Sequence, residues 1–148
     1  GRREVALDEF FVFYLTTVLE PGEMVTAVKL PQAAAGSVGG HDKVCRVHGD
    51  TATVSADIVL DFDNDLVSDA RLVIGCCGPV PLHALEADSC LLGTAADDAA
   101  IDAACAILVE QADPPDDVRG SAEYRRLLIP RLVKRLVRRT LEKRGPLQ

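Results

Sequence analysis

The fold is decided by the stretch Ala52-Thr-Val-Ser-Ala-Asp-Ile-Val-Leu-Asp-Phe62-Asp-Asn-Asp-Leu66-Val-Ser-Asp-Ala-Arg-Leu-Val-Ile74. Its first half alternates strictly. Ala52, Val54, Ala56, Ile58, Leu60 and Phe62 share one face, and Thr53, Ser55, Asp57, Val59 and Asp61 the other. A period of two with one apolar face predicts a strand buried on one side. Asp63-Asn64-Asp65 follows, and Asx side chains favour tight turns because they bond their own backbone. The apolar pattern then resumes at Leu66, Val67, Ala70, Leu72 and Ile74, so the stretch reads as a β-hairpin.

Working upstream, Met24 to Leu30 reads as a short strand stopped by Pro31 and introduced by a Glu20-Pro21-Gly22-Glu23 turn. Gln32 to Gly40 is small and glycine-rich and is expected to be a mobile loop. It lacks the Gly-Lys-Ser/Thr ending of a phosphate loop. The opening, Val5 to Leu15, carries Phe10, Phe11, Phe13 and Tyr14 and must pack against something. Acidic residues interrupt the first ten positions before any apolar core develops, so no signal peptide is expected there, and the start reads as cut from a longer chain.

Downstream, three helices are expected. The first spans Leu82 to Leu92 with Leu82, Leu85 and Leu92 or their neighbours inward, closed by Gly93. The second is capped by Thr94, with Asp97 and Asp98 in its first turn and Ile101, Ala104, Cys105, Leu108 and Val109 as its stripe. Pro114-Pro115 ends it. The third starts at the N-cap Ser121, carries Leu128, Leu132 and Leu136 inward, and ends at Gly145-Pro146. Pro130, which has no amide hydrogen, should kink or split it. Strands followed by helices imply an α+β fold: a three- to four-stranded antiparallel sheet followed by three helices packed on one face. The 148 residues suit a single domain, 1–148, able to bury about two-thirds of its unfolded surface.

Composition excludes several classes. No apolar run approaches the ~18 residues of a membrane-spanning helix. Five cysteines, Cys45, Cys76, Cys77, Cys90 and Cys105, form no C-x-x-C pair, so neither a disulfide framework nor a zinc site is expected. Small buried thiols in a reducing cytosol are the simpler reading, with one of Cys76 and Cys77 inward and the other outward. His41, His48 and His83 have no metal spacing, no Gly-x-Ser-x-Gly is present, and Asp61, Asp63 and Asp65 lack the remaining ligands of a calcium loop. No catalytic residue and no metal ligand are therefore assigned. Residues 1–118 hold 6 basic and 21 acidic side chains, whereas 119–148 hold 10 and 2. The basic helix has one nearby aromatic, Tyr124, and a helix that covers a sheet needs a polar outer face anyway. Nucleic acid is not expected as a partner.

Five motifs stand in order: Leu19-Glu-Pro21-Gly22-Glu23-Met-Val25 to Leu30-Pro31; Lys43-x-x-Arg46-x-x-Gly49-Asp50-x-Ala52; Asp69-Ala-Arg71-Leu-Val-Ile-Gly75; Glu86 to Leu92-Gly93; and Asp117-Val-Arg119-Gly120-Ser121-Ala-Glu123-Tyr124-Arg125-Arg126. Together they resemble the C-terminal domain of the flavoprotein (medium) subunit of molybdenum hydroxylases, the family of carbon monoxide dehydrogenase and the bacterial xanthine dehydrogenases. The resemblance implies an α+β domain of an oxidoreductase subunit, inactive alone. Most FAD contacts would come from an N-terminal FAD-binding domain absent from this chain. It implies two partners, a large subunit with the molybdenum cofactor and a small subunit with iron–sulfur clusters, in a cytoplasmic complex. Electrons would pass from molybdenum through the clusters to FAD and an acceptor. Val25 and Lys43 would lie near the isoalloxazine ring, where an apolar side chain excludes water and a lysine stabilises negative charge on reduced flavin. Arg46 and Asp50 would be structural, as would the corner from Asp117 to Tyr124, with Arg119 bonding loop carbonyls. The alternative is a non-catalytic subunit-assembly module without flavin contact.

Overall fold

A computed structural model describes residues 1–47 and 49–144. The first hairpin, β1 (Phe11–Phe13) and β2 (Thr16–Thr17), follows a one-turn helix, α1 (Leu7–Phe10). A four-stranded sheet comes next: β3 (Val38–Val44), β4 (Val54–Asp63), β5 (Leu66–Gly75) and β6 (Leu82–His83). Its strands pair antiparallel in the order of the chain. Among the described residues three helices follow: α2 (Leu85–Leu91), α3 (Asp98–Gln111) and α4 (Ala122–Arg144).

The expected hairpin is β4 and β5. Val54, Ala56, Ile58 and Leu60 are buried and Asp57 and Val59 exposed, as the alternation requires. The turn has only Asn64 and Asp65 between the strands, and Asn64 takes the left-handed conformation (φ 54°) that Asn tolerates better than most residues. All three long helices lie on the inner face. α4 packs on β3 and β4, α2 packs on β5, and α3 lies against α2 and α4. One core results, from Val54 of β4 through Leu72 and Ile74 of β5 to Ile129, Val133 and Val137 of α4. This is the α+β architecture expected, with four strands.

Several local expectations are corrected. Met24–Leu30 is not a strand but irregular and exposed chain, with no strand partner and no apolar cover among the described residues. The last third of the supposed glycine loop is strand instead. Val38, Gly39 and Gly40 belong to β3, where Gly40 lets the strand approach α4 so closely that a Cβ there would overlap Thr140 and Leu136. The helix after the sheet begins at Leu85, since Leu82 and His83 pair with β5. Leu85 and Leu92 are exposed and Ala87, Asp88 and Leu91 face inward. Asp97, not Thr94, caps α3 by accepting the Ala100 amide, while Thr94 Oγ1 serves the preceding turn. Ser121 Oγ accepts the Tyr124 amide as an N-cap should. Pro130 does not split α4, which continues to Arg144, because flanking Ile129, Leu132 and Val133 are fixed in the core. The Gly145-Pro146 stop and His48 lie outside the described residues. Cys77 is buried and Cys76 half-buried, and all five thiols are free. Among the described residues no group of three His, Cys, Asp or Glu could hold a metal ion. No helix among the described residues is long and apolar enough to cross a membrane.

Candidate functional site

Val25 follows a turn fixed by charge. Glu23 N donates to Glu20 O at 2.9 Å across Pro21-Gly22, with Gly22 at φ 87° as a type II turn requires. Arg3 then grips Glu23 with two bonds, Nε to Oε1 at 2.9 Å and Nη2 to Oε2 at 2.6 Å. The Arg3 guanidinium, with help from the Glu20 amide, holds the Glu23 carboxyl down at about 2. The turn therefore delivers Met24 and Val25 outward, 77% and 53% exposed. The apolar surface does not end there. Leu7, Phe11, Val12, Phe13, Tyr14, Leu15, Val28 and Leu30 are exposed as well, and no described residue before Ala52 is buried. The aromatic opening that ought to pack against something finds no cover among the described residues.

Lys43 lies at the C-terminal end of β3, opposite Ser55 and on the outer face of the sheet. Its Nζ donates to the Asp50 carbonyl at 2.9 Å, across the loop that joins β3 to β4. An ammonium has three N–H donors, so this bond fixes its direction and leaves two without a partner among the described residues. The loop is shaped from within. Asp50 N donates to Val47 O, Gly49 takes φ 86°, and Arg46 Nε reaches Asp50 Oδ2 at 3.3 Å. The Thr51 amide first, against partial burial and with Arg46 adding, lowers the Asp50 pKa. Arg46 and Asp50 thus serve the loop, as expected.

The base of that loop is tied to a residue that sequence reasoning assigned elsewhere. Arg125, read as part of the basic face of the last helix, is 1% exposed. Its guanidinium donates to the carbonyls of Thr53 and Cys76 and, through Nη2, to Asp117 Oδ1 at 2.6 Å. Arg119, expected to bond loop carbonyls, makes no such bond among the described residues. Its amide donates to Asp117 Oδ1, its carbonyl accepts from Thr53 Oγ1, and its Nε is buried without a partner. The Arg119 amide, ahead of Arg125, lowers the Asp117 pKa. The available signal was position: Arg125 stands four residues after the N-cap, one turn into α4, three before buried Leu128 and four before buried Ile129. Most other arginines of α4 do face out, and they meet carboxylates there. Arg138 bonds Asp98, Lys134 bonds Asp102, and Arg135 and Arg139 both reach Asp42.

Residues 41–140 match the model of the CO dehydrogenase flavoprotein C-terminal domain. The chain belongs to that family. This flavoprotein C-terminal domain is 34% identical over 139 residues to the carbon monoxide dehydrogenase medium chain of Afipia carboxidovorans, covering 94% of this chain and 48% of the relative. It is 30% identical over 155 residues to a xanthine dehydrogenase of Blastobotrys adeninivorans, covering 98% of this chain and 11% of that protein. Among solved structures, a carbon monoxide dehydrogenase from Hydrogenophaga pseudoflava superposes with a TM-score of 0.90 at 32% identity, over 96% of this chain and 50% of that one. The domain therefore spans about half the length of the medium chains it matches. Its first forty residues, where the exposed apolar surface lies, precede the stretch that the family model covers.

Proposed function

We propose that this domain closes over the flavin of an FAD-binding subunit in a cytoplasmic molybdenum hydroxylase, and docks that subunit to large molybdenum and small iron–sulfur partners. The observation that carries the reading is Lys43, held by the Asp50 carbonyl at an exposed strand end with two donors unpartnered among the described residues, in a domain of a flavoprotein family. The donor set suits a flavin edge. Two such N–H groups match the carbonyl and ring-nitrogen acceptors of an isoalloxazine, and Val25 offers an apolar surface to its ring. FAD, when bound, would accept electrons and pass them to an acceptor. Of this chain's own residues, Val25 excludes water and Lys43 supplies positive charge that favours the reduced flavin. The 1–148 chain acts as one closing domain, with the remaining FAD contacts supplied by a domain outside it. The uncovered apolar side chains of residues 7–30 provide the surface against which such a domain packs.

The test is Lys43→Ala in the FAD-loaded subunit. Loss of the charge should lower the flavin midpoint potential and weaken FAD retention. An unchanged potential with unchanged retention would favour the other reading, an assembly module that the same apolar surface also suits.

A further inference from the structure

We propose that Arg125 is the positioning residue for the flavin-side loop, setting the direction of Lys43 from the far side of the sheet. The inference rests on the flavin reading given above. Thr53 closes the base of the loop, and all three of its polar groups are engaged. Its amide donates to Val44 O at 2.7 Å, its hydroxyl to Arg119 O at 3.3 Å, and its carbonyl accepts from Arg125 Nη1. Each bond leads to a different segment: the end of β3, the corner before α4, and α4 itself. The same Nη1 donates to Cys76 O at 3.0 Å, just past the end of β5. One planar fork therefore joins the strand ends nearest Lys43 to the helix that covers the sheet. Gly120, at φ 156°, lets the corner lie so close that a Cβ there would stand 3.2 Å from Thr53 Cγ2.

Among the described residues, the loop between Lys43 and Thr53 has no comparable anchor of its own. Arg46 and the Lys43 ammonium bond Asp50 from within it, so they fix its shape but not its attachment. Attachment comes through Thr53. A lysine at position 125 could keep the charge and one bond, but not the two-sided fork. Arg125 is 1% exposed, with its guanidinium committed to Thr53, Cys76 and Asp117. It acts through Thr53 on Lys43.

The experiment compares Arg125→Lys, Lys43→Ala and the double variant in the FAD-loaded subunit. The readouts are flavin potential and amide exchange. Arg125→Lys should speed exchange in residues 50–53 by about tenfold or more, the factor set by losing one charge-assisted bond, and leave the centre of α4 protected. Its flavin potential should move in the same direction as that of Lys43→Ala, and the double variant should add nothing further. If Lys43→Ala moves the potential while Arg125→Lys moves neither potential nor loop exchange, Arg125 is merely a core strut and the inference falls alone. A shift from Arg125→Lys that persists in full without Lys43 also overturns it. If Lys43→Ala leaves the potential in place, the flavin reading fails and takes this inference with it. Should Arg125→Lys not fold, Asp117→Asn loosens the other prong with the guanidinium intact, and the same outcomes apply.

Discussion

Gly40→Ala probes the contact that seats α4 on the sheet. Gly40 is in β3 with an ordinary backbone, so alanine strains nothing locally. Its Cβ would overlap Thr140 Oγ1 and stand 2.8 Å from Leu136 Cδ1, both on fully or almost fully buried residues of α4. Overpacking of this kind costs about 1–3 kcal/mol, because the neighbours must leave their rotamers or the helix must move. Against it stands a gain of about 0.4–1 kcal/mol from restricting the unfolded chain. The net expectation is a loss of about 1–2 kcal/mol, which for a chain of this size lowers Tm by about 2–8 °C. Urea unfolding of the chain, followed by far-UV circular dichroism, reads the midpoint at constant slope. Thr140 Oγ1 is buried without a partner, so Thr140→Ala removes the colliding atom and a costly unsatisfied hydroxyl together. Adding it to Gly40→Ala should restore about 1 kcal/mol or more, a coupling that distant pairs do not show. A stable Gly40→Ala, or a pair whose effects simply add, would refute the close approach of β3 to α4.

Ser121→Ala removes the cap on the Tyr124 amide and should cost about 1 kcal/mol, seen as a lower urea midpoint. Cys76→Gly should do the reverse. Cys76 holds φ 64°, and relief of that left-handed strain, less the added freedom of the unfolded chain, should leave about 0.5 kcal/mol or more of gain. Burial works to raise the Asp42 pKa, but Arg135, the Lys43 amide and Arg139 outweigh it and leave it lowered. A lowered folded value means stabilisation that is complete above the unfolded pKa of about 3.9 and is lost as pH falls through the folded one, so Asp42→Asn should flatten the acid limb of a stability–pH profile. Burial pushes the Cys77 and Cys105 thiols up to about 11. Iodoacetamide at pH 8 should therefore leave both unmodified in the native protein and label them only once it unfolds.

What the sequence revealed, and what it hid, divides by whether a signal is periodic. β4 and β5 were legible because Val54 to Leu60 alternate without interruption, and a one-residue slip would put every apolar side chain in water. The stripe of α3 and the cap at Ser121 were legible for the same reason: the information is local. β3 was not. Gly39 and Gly40 look like loop until α4, one hundred residues later in the chain, is known to pass over them. Met24–Leu30 erred the other way, since apolar residues that pair with nothing in this chain read as a strand. At the candidate site, the five ordered motifs carried the family, and Val25 and Lys43 entered through that resemblance rather than through any spacing of chemical groups. Arg125 was hidden by its company. In a run of arginines, only the turn-by-turn position relative to Leu128 and Ile129 marks one as inward.

Strand order in the sheet repeats strand order in the chain, and this has a consequence for how the molecule comes into being. As β3, β4, β5 and β6 leave the ribosome, each finds its partner immediately before it, so the sheet can zip forward through short loops at little entropic cost. α4 is different. It is made after the whole sheet yet must settle on β3, the first strand of that sheet, with Thr140 seated over Gly40. The helix thus acts as a latch, and the long sequence separation of its contact with β3 makes its closing, rather than assembly of the sheet, the expected slow step of folding.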